Sequence, residues 1–453
     1  MKKFIIVSAV VILVLICTLV VLSKRESAVH GAVSEDKHWA DILQMNQTST
    51  AENDENYSGL LSGIRTGGYR NAGSLGNNEF ECTDNGVYFN WVFLEATHDG
   101  ATSNLPYLFY ADHNSDSVIK LCGRPDCTHN TTECNAVFPE GDCGISYYGG
   151  HLYLTTYGIG PEIMALYRMD PDGNNRTKIL DCSGINEGQY SHNMPPYVLN
   201  GVLIVQLMMV EDVTGETIGD YFYYKLDGSM DELTPISPTF IPEGRTVGMW
   251  TDGEAFLFGT YTYGADGGVD SWQLNQWDPD TNTTEILATV NNAEENDMLI
   301  QRAYWGVNNG LAHLGGEIVK IQYPSCELEV LFETGIACEN TVRFYPDCIA
   351  IHERISESSN APDILHFYRY NGEKVGEVVL DIPNNAGGTL ILGESRDIIY
   401  LGSNFQFRGL PNYYIDKAEF GTDNLELHPL QHPDLTENEL EALFNGGAPF
   451  SGS

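Results

Sequence analysis

A short apolar strand core that recurs about every 52 residues constrains the fold of this chain more than any other feature. A turn precedes most copies, and an aromatic-rich strand and a polar hairpin follow most of them. A period of about 50 residues is typical of propeller blades, in which each unit supplies four antiparallel strands. Seven copies are visible: Gly86–Phe89, Gly150–Leu154, Gly201–Val205, Gly253–Leu257, Gly310–Leu314, Cys348–Ile351 and Ile398–Leu401.

The repeat predicts an all-β protein, a β-propeller of four-stranded blades. A single four-stranded sheet cannot bury both of its faces, whereas a ring of sheets buries each one against its neighbours and leaves only short edges. A β-sandwich is the main rival, but it would not produce seven similar units. Seven blades are therefore expected, with six or eight as the alternatives.

The N-terminus is dominated by an apolar run from Phe4 to Leu22. As a helix it comes close to the roughly 30 Å hydrocarbon core of a bilayer. The run is long for a secretory signal and ends in Lys24-Arg25, so we expect a membrane anchor, with a cleaved signal as the alternative. Lipidation at Cys17 is not expected, because the bulky Ile16 precedes it.

The sequence predicts four segments, from the N-terminal anchor or signal to a helical tail. The boundaries are 1–25 for the anchor, 26–77 for a polar stalk, 78–430 for the propeller, and 431–453 for a C-terminal helix and tail. Thr436 and Glu439 have the spacing of a capping box, with Leu435 and Leu440 as a hydrophobic staple. Gly446 is expected to end this helix.

Charge narrows the range of partners. The chain has 23 Lys and Arg against 63 Asp and Glu, a net charge of −40. This excludes nucleic acid as a partner, since no basic stripe is available to displace phosphate counterions. Neutral glycans, basic proteins and divalent cations are the partners that this charge permits. Nine cysteines follow the apolar run and favour an oxidising compartment, so we expect a single-pass protein of the cell membrane with its bulk outside the cytoplasm.

One loop between the first two repeats concentrates cysteine and histidine. Its candidate residues are Cys122, Cys127, His129 and Cys134, followed by Cys143. In an oxidising compartment two disulfides are the favoured interpretation, because they would fix a loop that has no core of its own. A tetrahedral zinc site is the second interpretation, although the spacing fits no paired CxxC knuckle. A catalytic or redox thiol is the third.

Other candidate sites give weaker signals. Cys338 and Cys348 flank an expected hairpin and are a second disulfide candidate. The Asp-rich turns at Asp170 and Asp278 superficially resemble calcium loops, but they lack the Gly and terminal Glu of an EF-hand, so hairpin turns are expected there. No linear motif identifies catalytic residues. No cofactor is expected beyond the alternatives of zinc in the Cys/His loop and calcium.

The segment from Cys122 to Ala136 resembles a signature of uncharacterised extracytoplasmic propeller proteins of Gram-positive anaerobes. In that group a tyrosine-rich strand leads into a Cys, Pro-Asp-Cys, His, Cys-Asn-Ala loop, as it does here from Tyr107 onward. The blades also resemble those of TolB-like propellers and of low-density-lipoprotein-receptor-related proteins, although the receptor's Tyr-Trp-Thr-Asp motif is missing. The resemblance implies a surface-located propeller and no particular activity.

Together these features predict a membrane-tethered extracytoplasmic propeller, a binding or protein-interaction module whose ligand is unknown. The membrane contact would be made by residues 4–22, and the ligand would be a glycan or a protein. The alternative is a hydrolase or lyase directed at glycan or peptide, with its active site at the propeller axis. A domain that only spaces or senses at the surface is a third hypothesis.

Overall fold

The computed structural model describes residues 80–444 with several gaps, the longest of which are 157–164, 182–189, 237–245, 354–361, 381–389 and 403–410. The described strands form seven antiparallel sheets; six have the expected four strands, and the sheet of blade 3 has five, because a two-residue strand also pairs with its central part. Blades 1 to 3 comprise β1 (Phe80–Thr83), β2 (Gly86–His98), β3 (Ala101–Asp112) and β4 (Val118–Lys120); β5 (Cys143–Tyr148), β6 (His151–Thr156), β7 (Ala165–Met169) and β8 (Thr177–Asp181); and β9 (Tyr190–Ser191), β10 (Tyr197–Leu199), β11 (Val202–Val210), β12 (Thr217–Lys225) and β13 (Thr234–Pro235).

The remaining four blades repeat the same pattern. Blade 4 comprises β14 (Thr246–Thr251), β15 (Phe256–Tyr263), β16 (Val269–Asp278) and β17 (Thr283–Asn291), and blade 5 comprises β18 (Tyr304–Trp305), β19 (Asn309–Leu314), β20 (Glu317–Gln322) and β21 (Glu327–Glu333). Blade 6 comprises β22 (Thr341–Phe344), β23 (Ile349–Glu353), β24 (Asp363–Tyr368) and β25 (Lys374–Leu380), and blade 7 comprises β26 (Leu390–Glu394), β27 (Ile398–Gly402), β28 (Tyr413–Asp416) and β29 (His428–Pro429). The prediction of seven blades is confirmed, and the apolar repeat cores contribute to the second strand of each blade.

Both faces of each blade are buried against neighbouring blades. In β2, Val87 and Phe89 pack towards blade 7, while Tyr88, between them in sequence, packs towards blade 2. This follows from the period of two, which points successive side chains to opposite faces of a sheet. Within the described residues a hydrophobic cluster fills each of the seven interfaces, including the one between blades 7 and 1. The ring is therefore closed.

The segment after β29 fastens the last blade to the first. Backbone N–H groups donate in both directions, from Val118 to the Gln431 oxygen at 2.8 Å and from Gln431 to the Asp116 oxygen at 2.6 Å. The helix α1 (Glu437–Phe444) follows, with Thr436 as its N-cap. The capping box is present, since the Glu439 carboxylate accepts from the Thr436 N–H at 2.7 Å.

The described part of the chain contains no helix that is both long and apolar enough to cross a membrane. The apolar run at residues 4–22 and the expected helix stop at Gly446 lie outside the described residues.

Candidate metal centre

The Cys/His loop joins blade 1 to blade 2, between β4 and β5. It begins directly after β4, where Cys122 donates its backbone N–H to the Lys120 oxygen at 2.7 Å. It also contacts the next blade, because the Gly123 N–H donates to the Asp172 oxygen in the β7–β8 turn at 3.1 Å. The loop thus bridges the outer edges of two neighbouring blades.

Extensions of β2 and β3 hold the loop in place. Thr97 in β2 pairs with Thr131, and Tyr107 in β3 pairs with Val137 as an isolated bridge. The buried Tyr107 side chain adds a hydrogen bond, its hydroxyl donating to the His129 backbone oxygen at 2.9 Å. His129 itself has a left-handed φ of 52°, a conformation that is uncommon for a non-glycine residue. This backbone course turns the His129 side chain towards the cysteines.

Three cysteines and one histidine converge in this loop. The ligand atoms of Cys122, Cys127, His129 and Cys134 all lie within 4.8 Å of one another. The Nδ1 atom of His129 is 3.4 Å from the Cys134 sulfur. All four residues are buried or half-buried. Three cysteine sulfurs and one imidazole in one cluster match the donor set of a structural Cys₃His zinc site, which needs four protein ligands in a tetrahedron.

Hydrogen-bond donors surround the sulfur atoms. The Arg124 guanidinium lies 3.4 Å from the Cys127 sulfur, and the His129 backbone N–H donates to the same sulfur at 3.4 Å. A hydrogen bond with Cys134 lowers the pKa of Cys122 well below its usual range and correspondingly raises the pKa of Cys134. One sulfur of this pair is therefore poised as a thiolate, the form of cysteine that binds metal.

The expected disulfides are not found in this loop. Cys122, Cys127 and Cys134 are free thiols among the described residues. Cys143 also lies apart from the cluster: it is the first residue of β5 and belongs to the hydrophobic cluster between blades 1 and 2, whereas Cys134 belongs to the one between blades 7 and 1. By sequence, Cys143 groups with the loop cysteines because only eight residues separate it from Cys134, but Cys143 is part of β5 and lies in a different interface.

One cysteine of the second disulfide candidate, Cys348, lies among the described residues. Cys348 is buried directly before β23, and Cys338 lies outside the described residues. The two Asp-rich segments are hairpin turns, β7–β8 and β16–β17. Their carboxylates accept bonds within the turns, as Asp172 does from the Asn174 N–H at 2.9 Å and Asp278 from the Asp280 N–H at 2.8 Å.

Sequence reasoning missed the residues that support the cluster. Arg124 was visible only as part of the loop motif, and the contact between Tyr107 and His129 joins residues from different elements. The Arg-Pro-Asp-Cys order was the one local signal that could have placed a cation beside a thiolate.

In structural terms the chain is a seven-bladed β-propeller with a Cys₃His cluster in the loop between blades 1 and 2. No family model and no curated protein matches it. Among solved structures it is similar to dipeptidyl peptidase 4 of Porphyromonas gingivalis, with 10% identity, a TM-score of 0.37 and coverage of 75% of this chain and 50% of that one. It is also similar to the acylaminoacyl peptidase of Pyrococcus horikoshii, with 10% identity, a TM-score of 0.38 and coverage of 63% and 45%.

A third similar structure is a putative 6-phosphogluconolactonase from Bacteroides uniformis, with 13% identity, a TM-score of 0.36 and coverage of 71% of this chain and 94% of that one. The chain spans about half the length of the two peptidases.

Proposed function

We propose that this protein is a zinc-stabilised β-propeller that serves as a binding module. The observation that carries the proposal is the mutual approach of four protein ligand atoms, all within 4.8 Å of one another in the first interblade loop. Four protein donors complete the tetrahedral shell of zinc and leave no open position for a substrate or an activated water. A zinc ion held in this way would be structural.

Charge balance supports the same assignment. Zinc with three thiolates and a neutral imidazole carries a net charge of −1, and the Arg124 guanidinium beside the Cys127 sulfur offsets that charge. The metal would also cross-link distant parts of one short loop that packs at the interfaces of blade 1 with its two neighbours. Its role would be to fix an interblade loop on a rigid ring, the arrangement on which propellers present recognition surfaces.

The location of the module is part of the proposal. The apolar run at residues 4–22 would tether the chain to the cytoplasmic membrane, with the propeller outside the cytoplasm. Membership of the extracytoplasmic propeller group of Gram-positive anaerobes, suggested by the Cys122 to Ala136 motif, belongs to the same proposal.

Native mass spectrometry of the full chain, purified without chelators, tests the metal site. We expect one zinc per chain, lost in both Cys122→Ser and His129→Ala. Cys326→Ser is the matched control, because Cys326 is a free, half-buried cysteine outside the cluster, in blade 5. EDTA should also lower the Tm of the wild type by several degrees and leave the Tm of Cys122→Ser unchanged, since a ligand bound only by the folded state stabilises it.

Two outcomes would overturn the zinc assignment. One is a metal-free chain whose loop cysteines have lost hydrogen mass to disulfides, which would restore the disulfide interpretation. The other is full zinc occupancy in both Cys122→Ser and His129→Ala, which would locate the metal elsewhere.

A further inference from the structure

A pocket of about 550 Å³ opens beside the hairpin turns of blades 2, 3 and 4. Its walls come from the β5–β6 turn, the β10–β11 and β12–β13 turns, and the β16–β17 turn. All of these are first-to-second or third-to-fourth strand connections, so they lie on the same face of the ring. The volume is within the range of small-ligand sites, and none of the four Cys/His cluster residues lines the pocket.

Aromatic side chains form much of the pocket lining. Phe256 and Trp277 are nearly inaccessible and pack together with their ring centroids 5.5 Å apart. Tyr148 differs from them, since 39% of it is exposed at the pocket rim. Its ring lies against Gly201, where even a Cβ atom would come within 3.0 Å of the ring. The glycine therefore leaves room for a tyrosine ring held on the backbone of the next blade with one face open.

A tyrosine hydroxyl is among the polar groups of the pocket. Tyr153 lines the pocket and is only 6% exposed. Burial raises the pKa of Tyr153, so the group remains a hydroxyl that can donate. A phenolic hydroxyl both donates and accepts, so in this position it can bond to a hydroxyl group of a ligand.

An ion pair lies at the same opening. The Lys225 ammonium of blade 3 contacts the Asp280 carboxylate of blade 4 at 2.7 Å. The pair sets a strong donor directly beside a strong acceptor. A sugar diol matches such a pair, because each of its hydroxyl groups both donates and accepts.

The charges at the pocket rim and the net charge of the chain bear on which class of ligand the pocket can bind. Asp227 and Asp278, also at the rim, accept hydrogen bonds within their own turns, from the Ser229 and Asp280 N–H groups. These bonds hold both carboxylates within their turns. The net charge of −40 repels anionic ligands. A neutral ligand with an apolar face for Tyr148 and several hydroxyl groups meets these conditions.

We propose that this pocket binds a neutral oligosaccharide, with one sugar ring stacked on Tyr148 and its hydroxyl groups bonded to Tyr153, Lys225 and Asp280. The inference deepens the proposed binding function and rests on it. Stacking on a tyrosine ring uses the apolar C–H face of the sugar, while the buried hydroxyl and the ion pair determine its orientation.

The test uses the full chain and a panel of short neutral hexose and N-acetylhexosamine oligosaccharides, with calorimetric titration of the strongest binder. Tyr148→Ala should weaken binding at least tenfold, whereas Tyr148→Phe, which keeps the ring, should stay within a few-fold of the wild type. Tyr153→Phe should weaken binding several-fold through the lost hydroxyl bond. Leu328→Ala is the control, because Leu328 is an exposed apolar residue of blade 5 outside the pocket.

Several results would overturn the inference. They are no binding by any panel member, equal affinity in the wild type, Tyr148→Ala and Tyr153→Phe, or retention of a basic peptide and no oligosaccharide. In the last case the binding module stands and only the ligand class fails. Cleavage of the bound oligosaccharide would support the pocket and contradict the binding module in favour of an enzyme. Unchanged Tm values of the variants confirm that they are folded.

Discussion

Arg124 is the residue that connects the chemistry of the cluster to its loop. Its guanidinium contacts the Cys127 sulfur at 3.4 Å and also donates to the Glu133 backbone oxygen. It therefore places a positive charge beside the thiolates and joins the two ends of the segment that contains them. Groups that hydrogen-bond to metal ligands stabilise the ligands in the deprotonated form and in the right orientation.

Arg124→Gln should weaken zinc binding about 10- to 100-fold, the usual effect of losing a hydrogen-bond partner of a metal ligand. Competition with a chromophoric chelator measures this change. Lys374→Gln removes the same charge from an exposed pair with Glu377 in blade 6 and should leave zinc affinity unchanged. An equal loss in the two variants would assign the effect to net charge, and no loss in either would remove Arg124 from the site.

At the scale of elements, α1 depends on one carboxylate. Glu439 accepts from the Thr436 N–H at 2.7 Å and from the Lys120 ammonium at 3.3 Å, so it caps the helix and binds it to β4. Partial burial alone would raise the pKa of Glu439, but the Thr436 bonds and the Lys120 charge outweigh burial and lower it. Lys120 is almost fully buried, whereas a quarter of the Glu439 side chain is exposed, so solvent partly screens the pair.

Glu439→Gln should lower the free energy of unfolding by about 1 kcal/mol at neutral pH, through the lost charge. Because the folded pKa is depressed, the contribution of Glu439 is complete above the ordinary glutamate value of about 4.3 and is lost as pH falls through the lower folded value. Denaturant titrations at neutral pH and in the acid range should therefore show the difference between wild type and variant shrinking. Glu437→Gln, in the same helical turn, is the control. A difference that persisted in acid would contradict the assignment.

Elements of this fold are more predictable from sequence than its sites. Each blade is a local unit of turns and alternating side chains, so the strand cores and the capping box of Thr436 and Glu439 are visible in the linear order. For the Cys/His cluster, the sequence predicted only a set of candidate disulfide or metal-binding residues. The choice between disulfide and metal geometry depends on pairing with Thr97 and Tyr107, which lie on other strands. The pocket could not be predicted from the sequence, because residues from three different blades line it.

At the scale of the whole molecule, the ring is closed by packing between blades 7 and 1. The hydrophobic cluster between blades 7 and 1 contains residues of both blades together with Cys134 of the Cys/His loop and Leu430 and Leu435 of the C-terminal segment. The Cys/His loop and the C-terminal segment thus both pack into the interface between blades 7 and 1. Blade 1 is synthesised before the other six blades. Its outer strand β4 can be covered only after the C-terminal segment has been synthesised.

Truncation after Leu430 should therefore loosen blade 1 specifically. It removes the two Gln431 backbone bonds and the bond from the Lys120 N–H to the Asp434 carboxylate at 2.8 Å, a loss of about 3 kcal/mol at roughly 1 kcal/mol per bond. The buried Leu435 is lost with them. Truncation after Phe444 keeps all of these contacts and is the matched control.

Thermal unfolding and hydrogen exchange together test this expectation. The shorter chain should have a lower Tm, and its amide exchange should rise first in β2, β3 and β4, because an edge released from pairing opens locally at lower cost than the whole ring. Uniformly faster exchange across all seven blades would instead mean that the ring unfolds as one unit. An unchanged Tm would show that side-chain packing between blades 7 and 1 closes the ring without the C-terminal segment.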